Sequence, residues 1–339
     1  MKRRFVSFLS VIAALACWSA VVQAQSFYEG KTLRIVVGLS AGGGFDTYAR
    51  TIGRHLGKHI PGNPTVIVEN MTGAGGIIMM NHLYKAAKPD GLTMGHFNGA
   101  VMLGQLLGQK GIEFDARKYV FIGAAAKEDV VCGLTKASGI TSVAAWQAAK
   151  SPVKLGGVAP GQTPDNSGKI LKAALGFPVQ VVTGFKGTSR IRLAAESGEI
   201  HGGCWSWESM RATWRKSLES GDVIPVIQIV AKPLSDIPNV PLAIDLAKTD
   251  DARALIRVGV QNASAFARPF ALPPGTPADR VEILRKAFFA TLKDPAFLAE
   301  AKKARLTVNP VTGPEMTQLV ADIFKLDAGM IAKLKEALY

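Results

Sequence analysis

Leu33-Arg34-Ile35-Val36-Val37-Gly38-Leu39-Ser40-Ala41-Gly42-Gly43-Gly44-Phe45-Asp46 is the stretch that decides the fold class. Its first half crowds β-branched residues into a short apolar run, the pattern of a strand buried on both faces. Its second half is a glycine turn, after which Tyr48, Ile52, Leu56 and Ile60 recur at every fourth position, as on the buried face of a helix. Arg50, Arg54 and Lys58 share another face of that helix, which reads as solvated. Buried strand, glycine turn and amphipathic helix together form the opening unit of an α/β sheet.

The alternation continues outward. Pro61-Gly62-Asn63-Pro64 stops the helix, residues 66–68 form the next strand, and Pro89-Asp90-Gly91 turns the chain before a strand at residues 92–97. A second series begins after Val130, with strands over 153–158, 179–182, 200–204 and 223–230. Helical patterns lie between them near 142–149, 166–175, 187–196 and 207–219. Past a proline-rich passage (Pro233, Pro238, Pro241), residues 263–271 read as a strand and residues 278–338 as mostly helix. Such alternation predicts parallel sheets with helices on both faces.

The chain opens with Lys2, Arg3 and Arg4, an uncharged apolar run over residues 5–22, and Val22-Gln23-Ala24. That is the layout of a secretory signal peptide, with cleavage expected after Ala24. About 315 residues then remain, more than one core usually serves, so two domains are expected. The formal charge of +14 falls to +11 without Lys2, Arg3 and Arg4, because 40 basic residues become 37 against 26 acidic ones. A positive balance suits an anionic partner. Nucleic acid is disfavoured, since no basic run or aromatic-interleaved basic segment occurs. Cys132 and Cys204 are the thiols left after cleavage; they are free to pair in an oxidising compartment but form no disulfide framework.

The glycine run at residues 42–44 lets backbone N–H groups converge at the start of a helix, where the dipole is positive. Asp46 is placed to cap that helix and Ser40 to add a hydroxyl donor, an environment suited to a carboxylate, which only accepts hydrogen bonds. The spacing is not the dinucleotide fingerprint, because Phe45 stands where a third spaced glycine belongs. Gly38-Leu39-Ser40-Ala41-Gly42 also matches the G-x-S-x-G nucleophile elbow, so a secreted serine hydrolase using Ser40 is the competing reading. It is the weaker one: the elbow sits on the first strand of the mature chain, without the upstream loop that completes an oxyanion hole. His55 and His59 stand one turn apart, but Leu56 breaks the H-E-x-x-H pattern and they read as surface histidines.

A second strand-to-helix turn, Gly156-Gly157-Val158-Ala159-Pro160-Gly161-Gln162-Thr163, precedes Pro164, with Thr163 expected as N-cap. Two such turns, one per domain, suggest jaws facing one crevice, since ligands of open α/β sheets bind beyond the carboxyl ends of the strands. Asn98, Phe185, Lys186 and Trp205 follow or end other strands and are further candidates. Trp205 and Trp207 fit either a pocket wall or the core. The glycine-rich turn at residues 70–76 is expected on the crevice rim.

From about Phe27 onward the chain resembles the substrate-binding receptors of tripartite tricarboxylate transporters, the Bug family. The matching pieces are Gly30-Lys31-Thr32-Leu33-Arg34-Ile35-Val36-Val37, residues 40–46, Val68-Glu69-Asn70 with Gly73-Ala74-Gly75-Gly76, and Ala87-Lys88-Pro89-Asp90-Gly91. Phe185-Lys186-Gly187, Pro238-Asn239-Val240-Pro241 and Pro273-Pro274-Gly275-Thr276-Pro277 follow in order. The resemblance implies a type II-like clamshell of two Rossmann-like α/β domains. One would take residues 25–126 plus 261–339 and the other residues 127–260, with crossing strands near Ala126 and Val260. It implies a monomeric periplasmic receptor that captures a small carboxylate (a di- or tricarboxylate or related acid) and delivers it to membrane permease subunits. A sensor-coupled binding protein would share the fold and the ligand. The substrate-binding set is then Ser40, Ala41, Gly42, Gly43, Gly44, Asp46, Asn98, Gly161, Gln162, Thr163, Phe185, Lys186 and Trp205. No catalytic residue, metal or cofactor is assigned. The chain departs from the family pattern at Leu39 and Ser40, at Gln162 and Asp165, and at Trp205, so the ligand is harder to foresee than the clamp.

Overall fold

The computed structural model describes residues 27–266 and 268–339; the expected leader and its cleavage point lie outside the described residues. In chain order the strands are β1 (Thr32–Val37), β2 (Thr65–Asn70), β3 (Thr93–His96), β4 (Val120–Ala124), β5 (Val130–Thr135) and β6 (Val153–Gly156). They continue with β7 (Val179–Val182), β8 (Gly202–Ser206), β9 (Val223–Gln228), β10 (Pro269–Leu272) and β11 (Val311–Thr312). They form two sheets, β11-β4-β10-β3-β1-β2 and β7-β6-β8-β5-β9, each the centre of one α/β lobe.

Both sheets are mixed, where alternation alone predicts parallel ones. β1 runs parallel to β2 and β3, and β6 runs parallel to β7 and β8. β10 is antiparallel to β3 and β4, and β5 is antiparallel to β8 and β9. Connectivity explains this. The parallel strands of each lobe end at the gap between the lobes, whereas β5 and β10 begin there, directly after the chain has crossed over.

The crossing segments differ from the expectation on the return side. Residues 263–271 read as one strand, and Val260 as part of a crossing strand. Instead the helix Asp250–Ile256 continues through a π-turn at Arg257–Gln261 and a short helix at Asn262–Ser264. Alanine-rich sequence here favours helix, and Val260 and Ala263 are buried. Only residues from Pro269 onward are extended. The outward and return crossings are joined where the Glu128 N–H donates to the Ser264 carbonyl at 3.0 Å.

The helix Gly44–Leu56 and the 3-10 turn Gly57–His59 that follows it bury the expected stripe: Tyr48, Ile52 and Leu56 on the helix and Ile60 just past the turn are each at most 1% exposed. Its polar face is less free than expected. Arg54 and His55 pair with Glu300, and Lys58 and His59 pair with Asp294 at 2.7 and 2.9 Å. These bonds tie the first helix to the helix Pro295–Lys303. Among the described residues there is no cluster of three or more His, Cys, Asp or Glu side chains that could hold a metal ion. Nor is any described helix long and apolar enough to cross a membrane.

Cys132 and Cys204 face one another across β5 and β8 and are joined as a disulfide, closing a sequence separation of 72 residues. By loop-closure entropy, closing a loop of this size in the unfolded chain is worth about 4 kcal/mol. Thiol titration of the denatured, unreduced protein without its first 24 residues should find no free thiol. The Cys132→Ser/Cys204→Ser variant should lose about that much stability in denaturant unfolding, and equal stability would remove the bridge.

Candidate functional site

The first glycine loop leaves β1 at Gly38 and enters its helix at Gly44, with Gly43 in the N-cap position and no side-chain cap. Asp46 does not cap the helix as the sequence suggests. Its Oδ2 accepts the Gly42 N–H at 2.9 Å, and the carboxylate also takes Arg50 Nε and Asn70 Nδ2 at 3.0 Å. Asn70 reaches further, to the Leu39 carbonyl at 2.9 Å. Asp46 is therefore the clasp of the loop, with both oxygens occupied. Burial pushes its carboxyl up, but the bonds from Arg50, the Gly42 amide and Asn70 outweigh that and hold it below the usual carboxylate range.

The second loop is clasped in the same way. Gln162, rather than Thr163, is the N-cap of the helix Thr163–Leu175, because Pro164 sits one residue deeper in the first turn than the sequence reading places it. Asp165 reaches back to accept the N–H groups of Val158 and Ala159 at 2.6 and 3.0 Å. Its environment differs from that of Asp46 in having no arginine. Burial dominates and pushes its carboxyl up to about 6, against the bonds from Thr183 and the two amides.

Both loops lie where the lobes meet, yet each faces a different partner. On one rim the Ser40 N–H donates to the Lys186 carbonyl at 2.9 Å, the Ser40 and Ser189 hydroxyls are 3.1 Å apart, and Ser189 also donates to the Ala41 carbonyl at 3.2 Å. On the other, Gln162 Nε2 donates to the Gly75 carbonyl and Gln109 Nε2 to the Pro160 carbonyl at 2.7 Å. Glycine makes the first contact possible. Gly187 holds φ +152°, and a Cβ there would stand 2.5 Å from Ser40 Oγ. A Cβ on Gly44 would stand 2.1 Å from Ser209 Oγ.

Between the rims lies a buried polar floor. Asn98 Nδ2 donates to Thr163 Oγ1 at 2.9 Å, and Thr163 Oγ1 donates to Glu128 Oε2 at 2.8 Å. Glu128 Oε1 lies 3.4 Å from Arg268 Nη2, which also bonds Ser206 Oγ. The Arg268 guanidinium packs over the rings of Phe45 and Tyr48, 4.6 and 4.9 Å from their centroids. Glu128 and Arg268 are each 2% exposed, and Arg268 Nε and Nη1 have no acceptor among the described residues. Burial pushes the Glu128 carboxyl up, opposed by Arg268 and the Thr163 hydroxyl. Burial and the neighbouring Asp129 also push Glu208 up to about 8.

Of the sequence candidates, Asn98 and Thr163 thus meet in one network, and Ser40, Ala41 and the Lys186 backbone meet on one rim. Gly161 and Gln162 are buried on the other. The Lys186 side chain is exposed and lines a shallow hollow with Phe185 and Arg190. Trp205 stacks on Trp214, centroids 5.2 Å apart, and is 1% exposed. Sequence reasoning missed Glu128 and Arg268. Arg268 carried a signal, a charge inside an otherwise apolar stretch, which is costly unless paired; Glu128, between Lys127 and Asp129, carried none. The nucleophile elbow finds no base: no described histidine bonds Ser40. His96 is stacked on Phe270 at 4.0 Å, and burial pushes its pKa down to about 3.

Gly44→Ala is expected to keep both lobes folded while obstructing their approach, weakening ligand binding at least tenfold, about 1.4 kcal/mol. Calorimetry would show it, and unchanged affinity would take Gly44 out of the cleft. Asp165 is protonated more readily folded than unfolded, so its contribution to stability is full below the unfolded pKa and lost as pH rises toward 6. Asp165→Asn should remove that loss, gaining stability relative to the parent as pH goes from 4 to 7 in melting curves. A constant difference across that range would count against it.

Residues 49–335 match the family described as the tripartite tricarboxylate transporter family receptor. A UPF0065 protein from the TAR-I ttuE–ttuC' intergenic region of Agrobacterium vitis is 27% identical, over 98% of this chain and 91% of its own. Among solved structures, the periplasmic binding protein BugD superimposes with a TM-score of 0.75 at 19% identity, covering 91% of this chain and 98% of that one. MatC from Rhodopseudomonas palustris with bound malate gives 0.70 at 19% identity, covering 91% and 99%. An R. palustris protein with adipate gives 0.73 at 20%, covering 90% and 97%. With the family match spanning most of its length, the chain belongs to the tripartite tricarboxylate transporter receptors.

Proposed function

We propose that this protein is a periplasmic solute-binding receptor that holds a small carboxylate between its lobes and hands it to the membrane permease subunits of a tripartite tricarboxylate transporter. The observation that carries this reading is the pairing of two buried helix starts with a buried arginine that still has N–H groups to give. Helix starts and a guanidinium both select anions, and a carboxylate uses such donors without needing to donate. Carboxylates in the solved relatives MatC and the adipate-bound protein support the ligand class.

In this reading the loop offers the amides of Ala41, Gly43 and Gly44, joined by that of Ser40 once its contact with Lys186 parts, while Asp46 holds the Gly42 amide and so the loop's shape. Asn98, Gly161, Gln162 and Thr163 face the ligand from beside and across the cleft. The domains divide near residues 126 and 260, and the joined crossings act as the hinge. Ligand enters when the rim contacts of Ser40 and Gln162 part. A micromolar complex needs about 8 kcal/mol, and hydrogen bonds to a charged group give roughly 1.5–3 kcal/mol each before ordering costs. The secreted monomer carries a net positive charge, which speeds capture of an anion and makes capture salt-dependent.

The test is a thermal-shift and calorimetry panel of short mono-, di- and tricarboxylates, aliphatic and aromatic. A true ligand at a hundred times its Kd adds about 2.7 kcal/mol, a shift of several degrees. If no carboxylate moves the melting temperature, the ligand class is wrong; fluorophosphonate labelling at Ser40 would instead favour the hydrolase.

A further inference from the structure

The hydroxyl of Thr163, at the start of the Thr163–Leu175 helix, already serves a carboxylate, and that carboxylate belongs to the protein. Thr163 Oγ1 accepts from Asn98 at 2.9 Å and donates to Glu128 at 2.8 Å, so its single hydroxyl proton is committed. Glu128 is 2% exposed and shares its other oxygen with Arg268, whose charge opposes the upward push of burial on that carboxyl. Beside Glu128 stands one buried cation among the described residues, Arg268, whose Nε and Nη1 have no acceptor among them and whose face packs on Phe45 of the first loop's helix. The side-chain donors here are thus graded: Arg268 Nε and Nη1 are unspent among the described residues, whereas the Thr163 hydroxyl proton is already given to Glu128.

We propose that Glu128 acts as a built-in second carboxylate, so that the cleft accepts a ligand with one carboxylate, held by Arg268 and the first glycine loop, and rejects a second one toward Thr163. The ligand class is then a monocarboxylate whose far end is uncharged, rather than a di- or tricarboxylate. A second ionised group brought to that end would be desolvated beside Glu128 with no free donor from Thr163, and unpaired buried charge is strongly disfavoured. This rests on the carboxylate-receptor reading and narrows it.

The test compares the tightest carboxylate of the panel with its partner differing by one carboxylate, alongside butanoate with succinate and hexanoate with adipate. Calorimetry on the intact protein without its leader should give at least tenfold tighter binding for the monocarboxylate of the tightest pair. In Glu128→Gln, an isosteric change that keeps an acceptor for Thr163, that ratio should fall at least tenfold, with circular dichroism confirming the fold. Arg268→Gln should weaken both members of the pair. A diacid that binds the parent protein as tightly as its monoacid partner overturns the proposal whatever the variants do, and so does an unchanged ratio in Glu128→Gln. The two readings fail differently: binding of no carboxylate sinks the receptor assignment, whereas preferred binding of a diacid sinks only the role of Glu128.

Discussion

The Glu128–Arg268 pair holds the two halves of the molecule in register. Glu128 lies on the outward crossing and Arg268 on the return, and their neighbours are Thr163 and Ser206 of the second lobe and Phe45 and Tyr48 of the first. A buried ion pair is a poor source of net stability, because removing two charges from water costs about what their attraction returns. Breaking one by removing a partner is nonetheless costly. Such a pair is better understood as a constraint on geometry: it fixes where the crossings lie and so where both glycine loops point.

The two loops show one local solution used twice. In each, an aspartate in the first turn of the helix reaches back to amides of the loop before it, Asp46 to Gly42 and Asp165 to Val158 and Ala159. That leaves each helix start without a side-chain cap from its N-cap residue, at a price in desolvation that differs between the loops. Asp46 has a hydrogen-bonded Arg50 to offset burial and Asp165 only the weaker pull of Lys169, so one carboxyl titrates low and the other high. Glycine then sets how closely the lobes approach. Gly44 leaves room for Ser209 and Gly187 for Ser40, contacts between residues far apart in the chain.

Much of the fold was legible because buried strands and amphipathic helices carry their periodicity locally. The stripe Tyr48, Ile52, Leu56 and Ile60, the strand after Gly30 and the glycine turns are all properties of short windows. The antiparallel β5 and β10 and the helical Val260 depend on where the chain enters an element after crossing between lobes. The missing capping roles of Asp46 and Thr163 have a local cause, Asp46 reaching back to Gly42 and the helix starting one residue before Pro164. Arg268 was passed over because a single arginine in an alanine-rich run has no periodicity to betray it.

By itself, the amino-acid sequence determined the class of architecture, the positions of both anion-suited helix starts and the family, because glycine spacing and apolar period are written in consecutive residues. Only the tertiary structure decided what those helix starts face. Thr163 meets Glu128 across 35 residues of chain, Glu128 meets Arg268 across 140, and Cys132 meets Cys204 across 72. Hydrogen bonds and charge pairs act over a few ångströms of space, so their partners are set by how the two sheets are placed and not by distance along the chain.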